Sequence, residues 1–185
     1  MKTNNSCHLS RVAKACATWI TPAQIVNAVG PFNLNPAVAS NMPWPTAKKT
    51  LHRNRGLWQR WNRSGMVWLN PPARQRDVWM RRCADHGNGI ALVYARTDTA
   101  WFCETVWRHP NTTAILFLTG RVHFAGSNGR KRGPAPAPSV LVAYGKNARR
   151  RLERAVRDWK LRGRLVILDE AQAGVWQQGR WRKVA

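Results

Sequence analysis

Apolar runs of strand length alternate along this chain with stretches whose apolar residues recur at helical spacing. The strand-like runs span 32–35, 66–69, 89–95, 114–119, 122–125 and 139–144. The helical stretches span 22–29, 77–85, 98–108 and 147–161, and an apolar run at 165–168 is expected to add an edge strand. Strands separated by helices predict an α/β fold with a mostly parallel sheet flanked by helices.

Two helix starts carry capping signals. The first helix is predicted to open with Thr21 as its cap and Pro22 in its first turn, and to end at Gly30. The helix of 98–108 is expected to be capped near Thr97 or Asp98, and the alternatives for the isolated carboxylate of Asp98 are to anchor an arginine or contact a base. Both starts are thus predicted from side chains that satisfy helical N–H groups.

The apolar run Met66–Leu69 stops abruptly at Asn70-Pro71-Pro72. Proline lacks a ladder N–H and pushes the preceding residue out of the helical region, so the strand must end here. In an open α/β sheet, ligands bind at this end of the strands. The Asn70 amide and the Pro71 carbonyl would accept both hydrogens of an exocyclic amino group and turn its lone pair towards an electrophilic methyl group. Taken alone, the motif is more typical of a plain strand terminator and turn.

Other motifs accompany this one in a characteristic order. They are Ile20–Pro22, Phe32–Ala37, Asn41–Lys48, Val67–Pro72, Ala95–Phe102 and Phe117–Phe124. From about Thr18 to Tyr144, the chain resembles the phage-type DNA N6-adenine methyltransferase family. The resemblance implies a Rossmann-like class I methyltransferase fold, S-adenosylmethionine as cofactor, and an adenine flipped out of DNA as substrate, since a stacked base is inaccessible.

The resemblance also implies roles for particular residues. Asn70 and Pro71 would orient the amino group, and Pro72 would keep the turn rigid. The residues expected to contact the cofactor are Thr21, Pro22, Asn35, Pro36 and Ala37. The residues expected to contact DNA are Arg96, Asp98 and Thr99 in the most distinctive motif, Arg121, and the basic run Arg130, Lys131 and Arg132.

Three positions depart from the family pattern. An aromatic residue that stacks on the flipped base usually follows Asn-Pro-Pro, where this chain has Ala73. The early motif usually carries two aspartates, where this chain has Asn33 and Asn35. All three departures are expected to lie in the pocket, and another aromatic could compensate for the missing one. The candidates are Trp44, Trp79 and Trp101.

Charge indicates the partner. Against 31 Lys and Arg the chain has 8 Asp and Glu, a formal charge of +23, so a polyanion and above all double-stranded DNA is the expected partner. Arginine and tryptophan interleave at 58–63 and 179–183, which suits phosphates and unstacked bases but also a solvated basic surface. In the helix of 147–161, Leu152, Val156 and Trp159 lie opposite the arginines, which are Arg149, Arg150, Arg151, Arg154 and Arg157. This helix could lie on a membrane, but we expect it to pack on the sheet with its arginines towards DNA.

The chain is predicted to contain one domain, at 18–168, between a basic N-terminal segment (1–17) and a basic C-terminal tail (169–185). Within the domain, the Gly, Pro and basic residues of 127–138 predict a loop. No apolar run approaches the roughly 20 residues of a membrane span, and no signal peptide is recognisable, so we expect a cytoplasmic protein of phage or bacterial origin with no membrane or protein partner. The four cysteines have no metal-site spacing, and neither a metal nor a disulfide is expected.

Two functions therefore stand at this point. One is a DNA adenine-N6 methyltransferase, which the intact Asn70-Pro71-Pro72 favours. The other is a non-catalytic DNA-binding module on the same fold, which Ala73, Asn33 and Asn35 favour.

Overall fold

A computed structural model describes residues 20–61, 65–126 and 128–168, and the backbone alone of 174–177 and 180–183. The predicted N-terminal segment 1–17 lies outside the described residues. The strands are β1 Leu34–Val38, β2 Lys49–His52, β3 Val67–Leu69, β4 Gly89–Tyr94, β5 Thr112–Leu118, β6 His123–Ala125, β7 Lys131–Pro134, β8 Ser139–Tyr144, β9 Gly163–Ile167, β10 Gly174–Gln177 and β11 Arg180–Lys183. The α-helices are α1 Ala23–Val29, α2 Arg53–Gly56, α3 Arg76–His86, α4 Ala100–Phe102 and α5 Lys146–Arg157.

Seven strands form one sheet in the order β2-β1-β3-β4-β8-β5-β9. The pairings from β2 to β4 are parallel, whereas β8 lies antiparallel between β4 and β5, and β9 is antiparallel to β5. The α/β class is confirmed, but the mostly parallel sheet is only partly so. Parallel neighbours need a long crossover, usually a helix. Between β5 and β8 the chain supplies only the β6–β7 ribbon, and β8 returns in the opposite direction.

Because β1 to β5 all run in the same direction, their carboxyl ends lie at one edge of the sheet. The start of β8 joins this edge, since Ser139 pairs with Tyr94. The opposite edge carries the residues just before the strands, among them Asn33, Met66 and Asn88, beside the start of α5. These two edges are called the carboxyl edge and the amino edge below.

Helices cover both faces of the sheet. On β3, Trp68 belongs to the apolar cluster that contains α1 and α5, whereas Val67 and Leu69 belong to the cluster that contains α3. This alternation is the expected two-residue period of a strand, and all three side chains are buried because both faces are covered. The strand is thereby held rigidly just before it reaches Asn70.

Several predicted elements need correction. The helix of 98–108 is the short α4, which continues as a π-helical turn over Cys103–Trp107. Its N-cap is Thr99 without a side-chain capping bond, so Asp98 is not the cap. The loop of 127–138 contains β7, which pairs with β6 in an antiparallel ribbon. Within the predicted tail, the backbones of β10 and β11 form a hairpin.

The last helix is shorter than predicted. It ends at Arg157, and Trp159 lies beyond it in a turn with a positive φ of 55° and is 79% exposed, so Trp159 is not part of the buried face. Arg151, on the polar side of this helix, makes contacts within the protein. Its guanidinium donates to the carbonyls of Val29 and Pro31 and lies over the ring of Phe32, which ties α5 to the end of α1.

Candidate active site at the carboxyl edge

A cleft of about 920 Å³ opens at the carboxyl edge, where β1, β3 and β4 end. Of the eight residues predicted to be catalytic or cofactor-binding, six line it. They are Thr21, Asn35, Ala37, Asn70, Pro71 and Pro72. Pro36 is buried and Pro22 is half-buried, and both are absent from the lining. Apolar side chains of Ile20, Leu57, Trp68, Leu92 and Phe124 contribute to the remaining wall.

The Asn-Pro-Pro turn leaves β3 at the buried Leu69 and enters the cleft at once. The carbonyl of Pro72 accepts the N–H of Gln75 at 3.2 Å, which starts the 3₁₀ turn Ala73–Gln75 and leads into α3. The carbonyl of Pro71 accepts no hydrogen bond within the described part of the chain. The turn therefore presents an amide side chain and a bare backbone acceptor beside each other.

Asn70 is held by a residue from the first motif. Its amide nitrogen, Nδ2, donates to the hydroxyl oxygen of Thr21 at 3.1 Å. The carbonyl of Thr21 in turn accepts the indole N–H of Trp44 at 3.1 Å. The prediction that Thr21 caps α1 is wrong, because the N-cap is Pro22 and makes no side-chain cap. The Thr21 hydroxyl thus binds Asn70 in the cleft and does not cap the helix.

Asn35 and Asn33 line different cavities. Asn35 is buried, donates to the hydroxyl of Thr46 at 2.7 Å, and accepts the N–H of Ala37 at 3.1 Å, so it orders the loop after β1 at the cleft. Asn33 accepts the N–H of Met66 at 2.9 Å and lines a separate cavity of about 400 Å³ at the amino edge. The expectation that all three departures share the pocket is wrong for Asn33.

Basic side chains that the sequence analysis missed line the cleft. Arg53, Arg74 and Arg76 do so, and no Asp or Glu is among the described lining residues. The Arg76 guanidinium lies 4.4 Å from the ring centre of Trp101, and its buried Nε has no hydrogen-bond partner among the described residues. Burial lowers the pKa of Arg76, an effect that nearby Asp77 opposes and Arg96 reinforces. A signal was available, because Arg74 and Arg76 follow Asn-Pro-Pro directly in the chain.

The seven residues predicted to contact DNA lie outside the cleft lining. Arg96 is exposed and close enough to Arg76 to repel it, so it neighbours the cleft. Thr99 donates from its hydroxyl to the carbonyl of Arg96 at 2.7 Å, which orders this loop, and Asp98 is exposed. Arg121 donates to the carbonyl of Ala135 at 3.2 Å and so braces the β6–β7 ribbon.

The basic run 130–132 is exposed on the β6–β7 ribbon. The turn of this ribbon approaches Trp44, since a methyl group at Gly129 would lie 3.9 Å from the Trp44 ring. Trp44 is the residue that bonds to Thr21, so the run flanks the cleft on the side of the first motif. Arg96 flanks it beyond Arg76. The predicted DNA-contacting residues thus surround the cleft rather than line it.

Comparison with known proteins identifies the family. Residues 10–161 match the family described as DNA N-6-adenine-methyltransferase (Dam). The chain belongs to this family. It is 28% identical over 108 residues to the DNA N-6-adenine-methyltransferase of Escherichia phage T1, an alignment that covers 54% of this chain and 44% of the phage protein. The chain therefore spans less than half the length of that relative, and no solved structure matches it.

Membership of the Dam family confirms the resemblance predicted from the motifs. The Rossmann-like class I fold and the domain limits at residues 17 and 168 stay predictions. In the described part of the chain, no helix is long and apolar enough to cross a membrane. No group of three His, Cys, Asp or Glu side chains is arranged for a metal ion among the residues that the structure describes.

For a Dam-family chain, the absence of an aromatic residue after Asn-Pro-Pro is the main departure within the cleft. Ala73 lines the cleft and is exposed. None of the three tryptophans predicted to compensate lines it: Trp79 is fully buried, Trp101 lies against Arg76, and Trp44 is bonded to Thr21. Two other tryptophans line the cleft: Trp68, which is buried, and Trp58, which is 87% exposed.

Proposed function

We propose that this protein is a DNA adenine-N6 methyltransferase that uses S-adenosylmethionine and acts on an adenine flipped out of duplex DNA. The observation that carries the proposal is the meeting of Asn70-Pro71-Pro72 with Thr21 at one cleft, through the 3.1 Å hydrogen bond between Asn70 and Thr21. Membership of the Dam family supports the general reaction.

The cleft suits a nucleoside-sized cofactor in size and polarity. Its volume of about 920 Å³ lies within the range of ligand pockets, roughly 300–1,000 Å³. Thr21, Asn35 and Ala37 would hold the cofactor, with the apolar wall of Leu92 and Phe124 against its flat base. When bound, S-adenosylmethionine supplies an electrophilic methyl group on a sulfonium.

The turn would orient the target nitrogen. The side-chain oxygen of Asn70 and the carbonyl of Pro71 would each accept one hydrogen of the adenine amino group, which directs the nitrogen lone pair away from the ring plane. An amino group held in this way would be positioned to bond to the methyl carbon, while the electron pair of the broken carbon–sulfur bond would stay on sulfur. The nitrogen would then lose one proton to water, because an amide oxygen is too weak a base to keep it.

The basic surface would supply the free energy of base flipping, which is a few kcal/mol. Arg74 and Arg76 line the cleft, with Arg96 on one side and Arg130, Lys131 and Arg132 on another. Guanidinium groups pair with phosphates through a planar fork. A DNA backbone crossing the carboxyl edge would meet these cations on both sides of the flipped base.

The experiment that tests the proposal is transfer of labelled methyl groups from S-adenosylmethionine to unmethylated duplex DNA, followed by digestion to identify the modified base. Asn70→Ala is expected to lower kcat by about 10²- to 10³-fold, the usual cost of removing one transition-state hydrogen-bonding group. The matched control is Asn27→Ala, which removes an exposed amide on α1 outside the cleft lining.

The result divides the two candidate functions. Label in N6-methyladenine that is lost in Asn70→Ala and retained in Asn27→Ala supports the enzyme. No label, with tight and salt-sensitive DNA binding, refutes it and leaves the non-catalytic DNA-binding module. The position of Ala73 in the cleft is the observation that favours this second function.

A further inference from the structure

We infer that Trp58 is the residue that stacks on the flipped adenine, in place of the aromatic that Ala73 does not provide. The inference rests on the proposed function for its substrate. The aromatic contact with the adenine would then come from the turn after α2, which precedes β3 in the chain. In the family pattern this contact comes from the residue after Asn-Pro-Pro.

The first observation is the exposure of Trp58. Tryptophan carries one of the largest apolar surfaces of any side chain, and its burial normally contributes to the core. Trp61, Trp68 and Trp79 follow that rule and are buried, whereas Trp58 is 87% exposed on the lining of the cleft. An indole face held towards a cleft is available for a flat ligand, and every base has a π-face for it.

The second observation is that the backbone around Trp58 is held firmly. A methyl group at Gly56 would lie 1.8 Å from the carbonyl oxygen of Pro36, so only glycine lets α2 approach β1 this closely. The N–H of Trp58 donates to the carbonyl of Arg55 at 3.1 Å, and the indole of Trp61 donates to the carbonyl of Gly56 at 2.8 Å. Trp58 therefore lies on a turn that is packed firmly against β1, the strand that carries Asn35 and Ala37 at the cleft.

The third observation concerns the residues that line the cleft together with Trp58. Ala73 and Arg74 of the Asn-Pro-Pro turn and Arg53 of α2 line the same cleft. Arginines suit the phosphates on either side of an extruded nucleotide, while an aromatic face suits its base. Ala73 leaves only a methyl group where the family pattern has an aromatic. The other aromatic residues on this lining, Trp68, Tyr94 and Phe124, are buried or half-buried, so Trp58 is the exposed aromatic surface there.

The test is a double-mutant cycle between the side chain and the base. Binding is measured to a single-stranded oligonucleotide that carries one adenine among abasic units, and to the same strand with that adenine also abasic. We expect Trp58→Ala to weaken binding of the adenine strand by about 5- to 150-fold and to leave the abasic strand unchanged. Trp58→Phe should keep most of the affinity, because it retains an aromatic face.

The matched control is Trp159→Ala, which removes an equally exposed tryptophan that is absent from the cleft lining. It should bind both strands as the wild type does. The inference is overturned if the wild type does not prefer the adenine strand, if Trp58→Ala keeps that preference, or if Trp159→Ala loses it to the same extent. Folding is checked in each variant by circular dichroism, which an exposed side chain should not change.

A methylation assay of the same proteins separates this inference from the proposed function. Ala73→Tyr introduced into Trp58→Ala should recover activity, because it restores an aromatic after Asn-Pro-Pro. Coupling between Trp58 and the adenine without any methyl transfer by the wild type would refute the enzyme and leave the base-stacking role. Methyl transfer without that coupling would refute the stacking role and leave the enzyme.

Discussion

The side chain of Asn70 is anchored by Thr21, a residue 49 positions earlier in the chain, through a hydrogen bond of 3.1 Å. The bond engages the amide nitrogen and so determines which way the amide oxygen of Asn70 points. Two motifs that are far apart in sequence therefore act as one unit. Loss of the hydroxyl should misdirect Asn70 even though no proposed catalytic atom is removed.

Thr21→Val is therefore expected to lower kcat for methyl transfer. One neutral hydrogen bond contributes about 0.5–1.5 kcal/mol, which corresponds to a decrease of about 2- to 12-fold. Thr21→Ser should retain activity because it keeps the hydroxyl. In an Asn70→Ala background, Thr21→Val should have no further effect on kcat, since the residue it positions is gone. Equal losses in both backgrounds would mean that Thr21 acts independently of Asn70.

Asn35→Asp restores the acid found in the family pattern and should strengthen cofactor binding. A carboxylate can keep both bonds of Asn35, because it accepts the Ala37 N–H and the Thr46 hydroxyl can turn to donate. A hydrogen bond from the cofactor to a charged carboxylate would be stronger by about 1 kcal/mol than one to the neutral amide. We therefore expect the affinity for S-adenosylhomocysteine, measured by titration calorimetry, to rise about fivefold. The matched control is Asn33→Asp at the amino edge, where no gain is expected. Equal gains would indicate a general charge effect.

The sequence predicts the buried part of this fold well and its exposed edge poorly. The apolar run of β8 has the predicted limits, Ser139 to Tyr144, because a strand covered on both faces is continuously apolar. The strand β2 and the helix α2 were missed. The four residues of β2 include a single apolar side chain, Leu51, and those of α2 none.

The same contrast applies to the site. Thr21 and Asn70 were predicted because their motifs are local and distinctive. Trp58 was missed as the stacking candidate because it follows α2, the element that carries no apolar periodicity, and exposure cannot be read from a tryptophan in isolation. The hydrogen bonds of Arg151 were not predicted for a related reason: its carbonyl partners, Val29 and Pro31, lie more than a hundred residues away.

The salt dependence of DNA binding should locate the DNA path. Each phosphate contact contributes about 0.9 to the slope of log K against log salt, so replacing Arg130, Lys131 and Arg132 with serine should reduce that slope by up to about 2.7. The matched control replaces Lys146, Arg150 and Arg154, exposed cations of α5, of which Arg150 and Arg154 line the amino-edge cavity. Its slope should stay close to that of the wild type. Equal reductions in both triple variants would indicate diffuse attraction without a defined path.

Tyr144 should make stability depend on pH in alkaline solution. The side chain is fully buried and its hydroxyl donates to the carbonyl of Thr105 at 2.9 Å, and burial raises the pKa of Tyr144 well above its ordinary value. Below about pH 10, the tyrosine is protonated in both the folded and the unfolded chain. Above that value the unfolded chain ionises while the folded chain retains its proton, so the free energy of unfolding falls as pH rises.

Tyr144→Phe removes both the hydrogen bond and the ionisation. At about pH 8 the variant should be less stable by roughly 1 kcal/mol, because the Thr105 carbonyl loses its donor. Above about pH 10 the difference in stability should shrink. Only the wild type has a tyrosine at this position that ionises on unfolding, and this ionisation favours its unfolded state. Burial also raises the pKa of Cys83, but that thiol is present in both chains and its effect cancels. Urea unfolding at the two pH values measures the difference, and a difference independent of pH would contradict a raised pKa for Tyr144.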